Sequence, residues 1–369
     1  MSRFRRLGAG IALTLVTSLS FIPVVAAQDA TPDVSTISAV SVEELELSGI
    51  KTYLVDHVDS VVAGNATLLA AAQKYYDLVS GSNFDYQAVW DQHGETLVPE
   101  IETARDVWIN QSSGNYELSE GIVAGVPSLV YYDLLLDAGP SGEEDPANAL
   151  DNNVTLPDGT VLESPGSFYH HLTEPALWGT DSEHVGLAVD FDGNGTIEIG
   201  EALPDANYLL GTIQGLNQAG LDLQSAVDAW TPNPQDAFTA LLTMVPTMNG
   251  YFDDWKNSPF ILGQDSTAES FVAVSRLVDV AGILNGLLVT YDNVQPAVAS
   301  VNPELATQID AGLDEMMAFV IDIHTQEDAG TRFTPEQADI FAGQIEEMSA
   351  SVAGQITQAM ALLGIEPAS

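Results

Sequence analysis

The chain has 369 residues, of which 53 are Asp or Glu and only nine are Lys or Arg, for a formal net charge of −44. A polyanion of this strength repels nucleic acid and anionic lipid over its whole surface, so both are excluded as partners, whereas cations are drawn to it. There is no cysteine, which removes disulfides, thiolate ligands and a thiol nucleophile.

Residues 1–27 read as an export signal. Arg3, Arg5 and Arg6 form a positive start, Leu7 to Val25 an apolar run broken by Pro23, and Val25-Ala26-Ala27 a small-residue cleavage site. A mature chain beginning near Gln28 is therefore expected in the periplasm, the cell envelope or the extracellular space. No later segment reaches 18 uninterrupted apolar residues, so no stable membrane insertion is expected once the signal is gone. Residues 28–42, QDATPDVSTISAVSV, are small and polar and read as a linker. The remainder is 46% apolar over the whole chain, enough for a large core, and its length suggests two halves.

From residue 43 the pattern is helical. Ile50, Tyr53, Leu54, Val58, Val61 and Val62 recur at three and four, and Leu68, Leu69, Ala72, Tyr75 and Tyr76 continue the stripe after a break at Gly64-Asn65. A second helix is expected over Tyr86–Trp108 and a third over Ser119–Leu136. Residues 137–166 are rich in Gly, Pro, Asp and Asn and read as an irregular excursion. Helical spacing resumes over Tyr208–Trp230, Gln235–Lys256, Thr267–Val289, Pro303–Thr325 and Pro335–Leu363. Asn233 and Thr334 are the expected N-caps, each followed by proline at the first helical position. The expected architecture is all-α: a first helical half over 43–182, a junction over 183–204, and a second half over 205–366.

Within the excursion's end lies SFYHHLTEPALWGTDSE, residues 167–183, holding two adjacent histidines out of six in the chain. On one α-helix, His171 and Glu174 project from the same face, so an imidazole nitrogen and a carboxylate can meet on one ion. Two ligands do not hold a metal, and acids from other helices must complete the set. Spacing alone equally allows a histidine pair hydrogen-bonded at a helix end, with His170 orienting its neighbour. Pro175 lacks an N–H and disfavours α conformation at Glu174; a new helix beginning there would part the two side chains.

The junction carries DFDGNGTIEIGE, residues 190–201, which fits a twelve-residue calcium loop. Asp190, Asp192, Asn194, Thr196, Glu198 and Glu201 fall at the ligand positions and Gly195 at the sharp turn. Its flanks are irregular, with Gly186 before it and Pro204 ending any exit helix after a single turn. The expectation is a structural calcium site of EF-hand-like loop geometry, with an affinity on the order of 10⁻⁴ M.

His171-Leu172-Thr173-Glu174, followed by Leu177-Trp178-Gly179 and Asp181, resembles the HxxE and LWGxD signature of the imelysin family, whose members include iron-uptake proteins of the bacterial envelope. NYELSEG at 115–121, FILGQDSTAESF at 260–271 and the stretch 291–320 extend the similarity. Tyr169 stands where the family usually has glycine. The resemblance implies an all-α fold of two bundles, an exported location and a metal site on the HxxE helix, with Glu120, Asp181 and Asp265 as further ligands. Iron is the implied ion, with zinc or copper as alternatives, and a membrane permease or a peroxidase-like protein as uptake partner. The family also carries a peptidase label.

No HExxH run, GxSxG turn or glycine-rich phosphate loop is present. Three functions remain open: an exported metal-binding protein of iron or other transition-metal uptake, a metallopeptidase of the same family, and a calcium-stabilised surface protein with a degenerate metal site.

Overall fold

Helices form where apolar residues recur at three and four, and most of them begin at a side-chain cap or a proline in the first turn. The structure, a computed structural model, describes residues 42–368, so the expected export signal lies outside the described residues, as does the linker up to residue 41.

The first helix, α1 (Ser48–Gly81), buries Ile50, Leu54, Val58, Val61, Leu68, Ala72, Tyr75 and Val79 along one face. It runs unbroken through Gly64-Asn65. A Cβ at Gly64 would stand 2.8 Å from the Gln111 backbone, so glycine here permits a close crossing. Asn65 is buried and bridges two elements, accepting from the Ser112 hydroxyl at 2.5 Å and donating to the Leu216 carbonyl. The break expected from composition is instead a packing contact.

Next, α2 (Tyr86–Val107), capped by Asp85, runs into a π turn at Trp108–Ser113 and then α3 (Gly114–Val123). The expected third helix is shorter at its end, because Pro127 interrupts it before α4 (Val130–Asp133) and a second π turn, Leu134–Ala138. After a small hairpin of β1 (Asn153–Thr155) and β2 (Val161–Glu163), a third π turn at Phe168–Thr173 leads directly into α5 (Glu174–Trp178).

Strands β3 (Val185–Ala188) and β4 (Ala202–Pro204) pair antiparallel, Leu187 opposite Leu203, and loop 190–201 forms their tip. Pro204 thus ends a strand, where an exit helix of one turn was expected. The second half follows as α6 (Ala206–Ala229), α7 (Pro234–Met244), α8 (Met248–Asn257), α9 (Pro259–Leu262), α10 (Arg276–Val301), α11 (Pro303–Asp328) and α12 (Pro335–Leu363). Asn233 caps α7 and Thr334 caps α12, each with proline at the first turn. The helix expected from Thr267 begins only at Arg276. Residues 266–275 form an irregular strap, in which the amides of Phe271, Val272 and Ala273 bond to Glu174.

The fold is all-α. Packing crosses the junction: α1 lies along α6, and α3 lies along α10. The second contact is close, since a Cβ at Gly121 would stand 2.7 Å from the Ile283 carbonyl and one at Gly282 3.1 Å from the Glu117 backbone. These glycines let α3 and α10 approach until Glu117 and Asp279 share one interior. No helix among the described residues is long and apolar enough to cross a membrane.

Candidate metal centre

The three π turns deliver side chains to one buried point. Trp108 comes from the first, Asp137 from the second and His170 from the third, while α3 adds Glu117 and Glu120 and α10 adds Arg276 and Asp279. A π turn closes its hydrogen bonds one residue later than an α turn and recurs at functional sites, because it re-aims side chains within an otherwise regular helix.

Glu117, Asp137 and His170 each place a ligand atom within 4.8 Å of the others. His170 Nε2 stands 2.9 Å from Asp137 Oδ1 and 3.9 Å from Glu117 Oε1, but is aligned for a hydrogen bond with neither. Both oxygens of Glu117, Oε2 of Glu120, Oδ1 of Asp137 and Nε2 of His170 are buried without a hydrogen-bond partner. An unpartnered buried polar atom costs about 1–3 kcal/mol. Glu117, Asp137 and His170 converge closely enough for one cation to satisfy several of these atoms together, although Asp137 Oδ1 and His170 Nε2 already face each other as an ion pair.

Charge gives the same result. Burial, with Asp279, Asp137 and Glu120 nearby, pushes the Glu117 carboxyl well above its usual range. Burial and Asp137 lift Glu120 to about 7, against the hydrogen bond it accepts from Tyr251 at 2.6 Å. Asp133 is likewise raised by burial and by Glu120, and its Oδ1 accepts from the Tyr116 hydroxyl at 2.9 Å. Burial opposes charge on His170, but Asp137 outweighs it and holds the imidazolium well above its ordinary value. Asp137 itself stays below the usual carboxylate range, because His170 more than offsets burial.

One permanent cation is built in. Arg276 donates to Asp279 at 2.7 Å and lies between the rings of Phe271 and Tyr251, 4.0 and 4.5 Å from their centroids. The remaining carboxyls must hold protons or a further cation. One imidazole with two or three carboxylates, and no sulfur, is a donor set for a first-row divalent ion such as iron(II), zinc or manganese. The residues present therefore fit a transition metal.

The imidazole is fixed by its other nitrogen. His170 Nδ1 meets Glu174 Oε2 at 2.7 Å, and Glu174 also accepts from the backbone N–H of Phe271, Val272 and Ala273. Burial raises the Glu174 carboxyl, but His170 and these amides together hold it below its ordinary value. Trp108 Nε1 donates to Thr173 Oγ1 at 2.8 Å, pinning the turn behind the histidine.

The signature residues led us to expect His171 beside Glu174, whereas His170 takes that place; residues 53–355 match the family model described as imelysin, one that carries a peptidase label. The chain belongs to the imelysin family. A search of curated proteins finds no match.

Across the imelysin signature, the expected ligands fall into different places. Glu120 lies in the buried cluster and Glu174 at its edge. His171 does not join them: it is half-exposed, its Nε2 meets Glu144 at 2.7 Å and its Nδ1 faces the Ser167 hydroxyl at 2.9 Å. The reason is the π turn, which puts side chains four apart on one face and sends those three apart in different directions. Pro175 does not start a separate helix, since Glu174 is α-helical and its N–H bonds back to Tyr169. Asp181 caps the turn at Ser182–His184 and pairs with His184 at 3.2 Å. Asp265 is exposed at the end of the turn Gly263–Asp265.

Glu117, Asp137, Asp133, Asp279 and Arg276 were not singled out by sequence. Two signals pointed to some of them. Glu117 stands in the YELSE segment beside Glu120, and Asp133 and Asp137 interrupt the apolar run YYDLLLDA at helical spacing, which is where buried acids announce themselves.

In the calcium-like loop, Asp190, Asp192 and Glu201 place one oxygen each within 4.8 Å of the others. Gly193, Gly195 and Gly200 take positive φ, and amides of the loop turn inward to the carboxylates, as Gly195 N to Asp190 at 2.7 Å and Glu198 N to Glu201 at 2.9 Å. Thr196 donates to the Asn194 side chain. Arg105, buried under the loop, donates to the carbonyls of Leu177 and Gly200, tying its exit to α5.

Proposed function

We propose that this imelysin-family protein binds one divalent transition metal ion, iron in the first place, as the exported carrier of an uptake system. Glu117, Asp137 and His170 would hold the ion, with Glu120 beside them. When bound, the ion supplies the positive charge that lets these carboxyls give up their protons. The protein's part is to exclude water, to present neutral Nε2 by engaging Nδ1 on Glu174, and to keep the acids close by the glycine-lined contact of α3 with α10. The observation that carries this reading is the convergence of Glu117, Asp137 and His170 in the interior, with both Glu117 oxygens lacking any hydrogen-bond partner.

A metallopeptidase needs its scissile bond to reach the ion. The cavity beside His170 measures about 10 Å³, room for one water or ion, and is walled by Trp108, Phe271 and Val274. A peptide does not fit in this closed form, so the peptidase reading requires the cover to open widely enough for a chain, whereas the carrier reading requires only passage of an ion. The strong negative charge supports the same role by concentrating cations near the surface. A membrane permease or a peroxidase-like protein is the partner that such a carrier would supply.

Loop 190–201 is proposed as a separate calcium site with a structural role. The agreement of all ligand positions with the convergence of Asp190, Asp192 and Glu201 favours it.

The test is calorimetric titration of the full chain, saturated with calcium, with iron(II) under argon and with zinc(II). His170→Ala and Glu117→Gln are expected to lower affinity about 100-fold or more, the effect of losing a metal contact. His171→Ala is expected to change it only slightly. Equal affinity in all four proteins would refute the site.

A further inference from the structure

The family resemblance makes Glu174 a metal ligand, and its surroundings give it different work. An ionised carboxylate has about four acceptor positions. All four are taken: Oε2 accepts from His170 Nδ1 at 2.7 Å and Phe271 N at 3.0 Å, and Oε1 from Val272 N at 2.8 Å and Ala273 N at 2.9 Å. No lone pair remains for an ion.

Three of those four donors belong to the strap 266–275, and the strap covers the site. Phe271 packs its ring 4.3 Å from the His170 ring, Ser270 donates its hydroxyl to the His170 carbonyl, and Phe271 and Val274 close one wall of the cavity beside the imidazole. The strap has no helix or strand ladder of its own to hold it. Phe271 sits at φ +58, a left-handed conformation costly for an aromatic residue, which persists only where contacts hold it. His170, Glu117 and Asp137 are buried, so an ion reaches them only when some cover moves aside. The least self-supported cover is this strap.

We propose that Glu174 is a positioning residue that latches the strap shut over the metal centre: it orients His170 through Nδ1 and fastens residues 271–273 through their amides, so strap opening, not ligand exchange at Glu174, sets how fast the ion enters and leaves. This rests on the metal-carrier reading above. It follows that the latch governs both association and dissociation, whereas the ion itself is held by Glu117, Asp137 and His170.

The test uses the full-length protein, with zinc(II) as ion and EDTA as competitor. Two variants loosen the strap by different contacts: Glu174→Gln, which replaces two acceptor positions with donors, and Ser270→Ala, which removes the bond to the His170 carbonyl. Each is expected to speed zinc transfer to EDTA about tenfold, the consequence of losing a charge-assisted or a neutral hydrogen bond in the closed form; Ser270→Ala, which leaves the Nδ1 contact intact, is expected to move the dissociation constant much less, and Glu174→Gln, which also loosens the orientation of His170, to weaken affinity by no more than about tenfold. Amide hydrogen exchange on the metal-free protein is expected to quicken at residues 271–273 in both variants and to stay unchanged in α11 and α12. Loss of zinc affinity in Glu174→Gln equal to that in His170→Ala, with protection at 271–273 unaltered, would make Glu174 a ligand and overturn the latch. Unchanged exchange kinetics in both variants would overturn it as well. The hydrogen-exchange measurement needs no metal, so a failure of the carrier reading leaves the latch separately decided.

Discussion

His170 is gripped at both ends, by Glu174 at Nδ1 and by the open acid cluster at Nε2, and that arrangement sets how the ion-free protein responds to pH. Glu120 is raised to about 7 by burial and by Asp137. A carboxyl whose folded pKa exceeds its unfolded one stabilises the fold in acid, and that contribution disappears as pH climbs from about 4.5 through about 7. The raised His170 acts in the same sense: its contribution is complete below the unfolded value of about 6.5 and is lost above the folded one. Asp137 and Glu174, which are lowered, count against this only in strong acid, as pH falls below the ordinary carboxylate range. Scanning calorimetry of the chelated protein is therefore expected to show a melting temperature several degrees lower at pH 8 than at pH 5.5, with Glu120→Gln flattening the slope. A melting temperature that rises over that interval would contradict the assignment. At this scale the sequence was half legible. It marked the histidine pair and the glutamate, and helical spacing lets either His170, four residues before Glu174, or His171, three before, meet it. The HxxE resemblance selects His171; the π turn, which depends on tertiary packing and has no period of its own in a sequence this short, turns His170 inward instead.

Among the elements, the irregular ones position the chemistry. The three π turns and the strap each bend a side chain or a backbone group toward the centre, and each lies where helical periodicity had predicted plain helix or loop. The strap was read as the start of a helix because Thr267 to Val289 is apolar at suitable spacing; the amides of Phe271, Val272 and Ala273 are taken by Glu174, a partner 97 to 99 residues away that local sequence does not reveal. The calcium-like loop was legible because its ligands alternate within twelve consecutive residues. Through Arg105 its exit is tied to α5, the element that follows His170 and contains Glu174. Calcium is accordingly expected to stabilise the protein by about 2.7 kcal/mol when present at a hundred times its dissociation constant. Melting curves in calcium and in EGTA check this, and Asp190→Asn with Glu201→Gln should erase the difference. An undiminished calcium response in that double variant would place the ion elsewhere.

For the whole molecule, helices and core were the legible part, because a buried stripe repeats over many residues and its signal accumulates. α1 buries the expected face, α2, α6, α11 and α12 lie close to the expected ranges, and the proline-marked starts of α7, α11 and α12 hold in detail. The interior acids were obscured by their own abundance: Glu117, Asp137 and Asp279 are three among 53, and only packing distinguishes them from a solvated surface. In the proposed carrier, surface charge would gather cations and the buried cluster would offer one of them a place where protons now sit. Titration of zinc(II) into the calcium-saturated chain at pH 6, in two buffers of different ionisation enthalpy, reads that exchange directly. The account predicts one ion bound per chain, protons released on binding, and both lost in His170→Ala; binding without proton release, or binding that His170→Ala leaves intact, would contradict it.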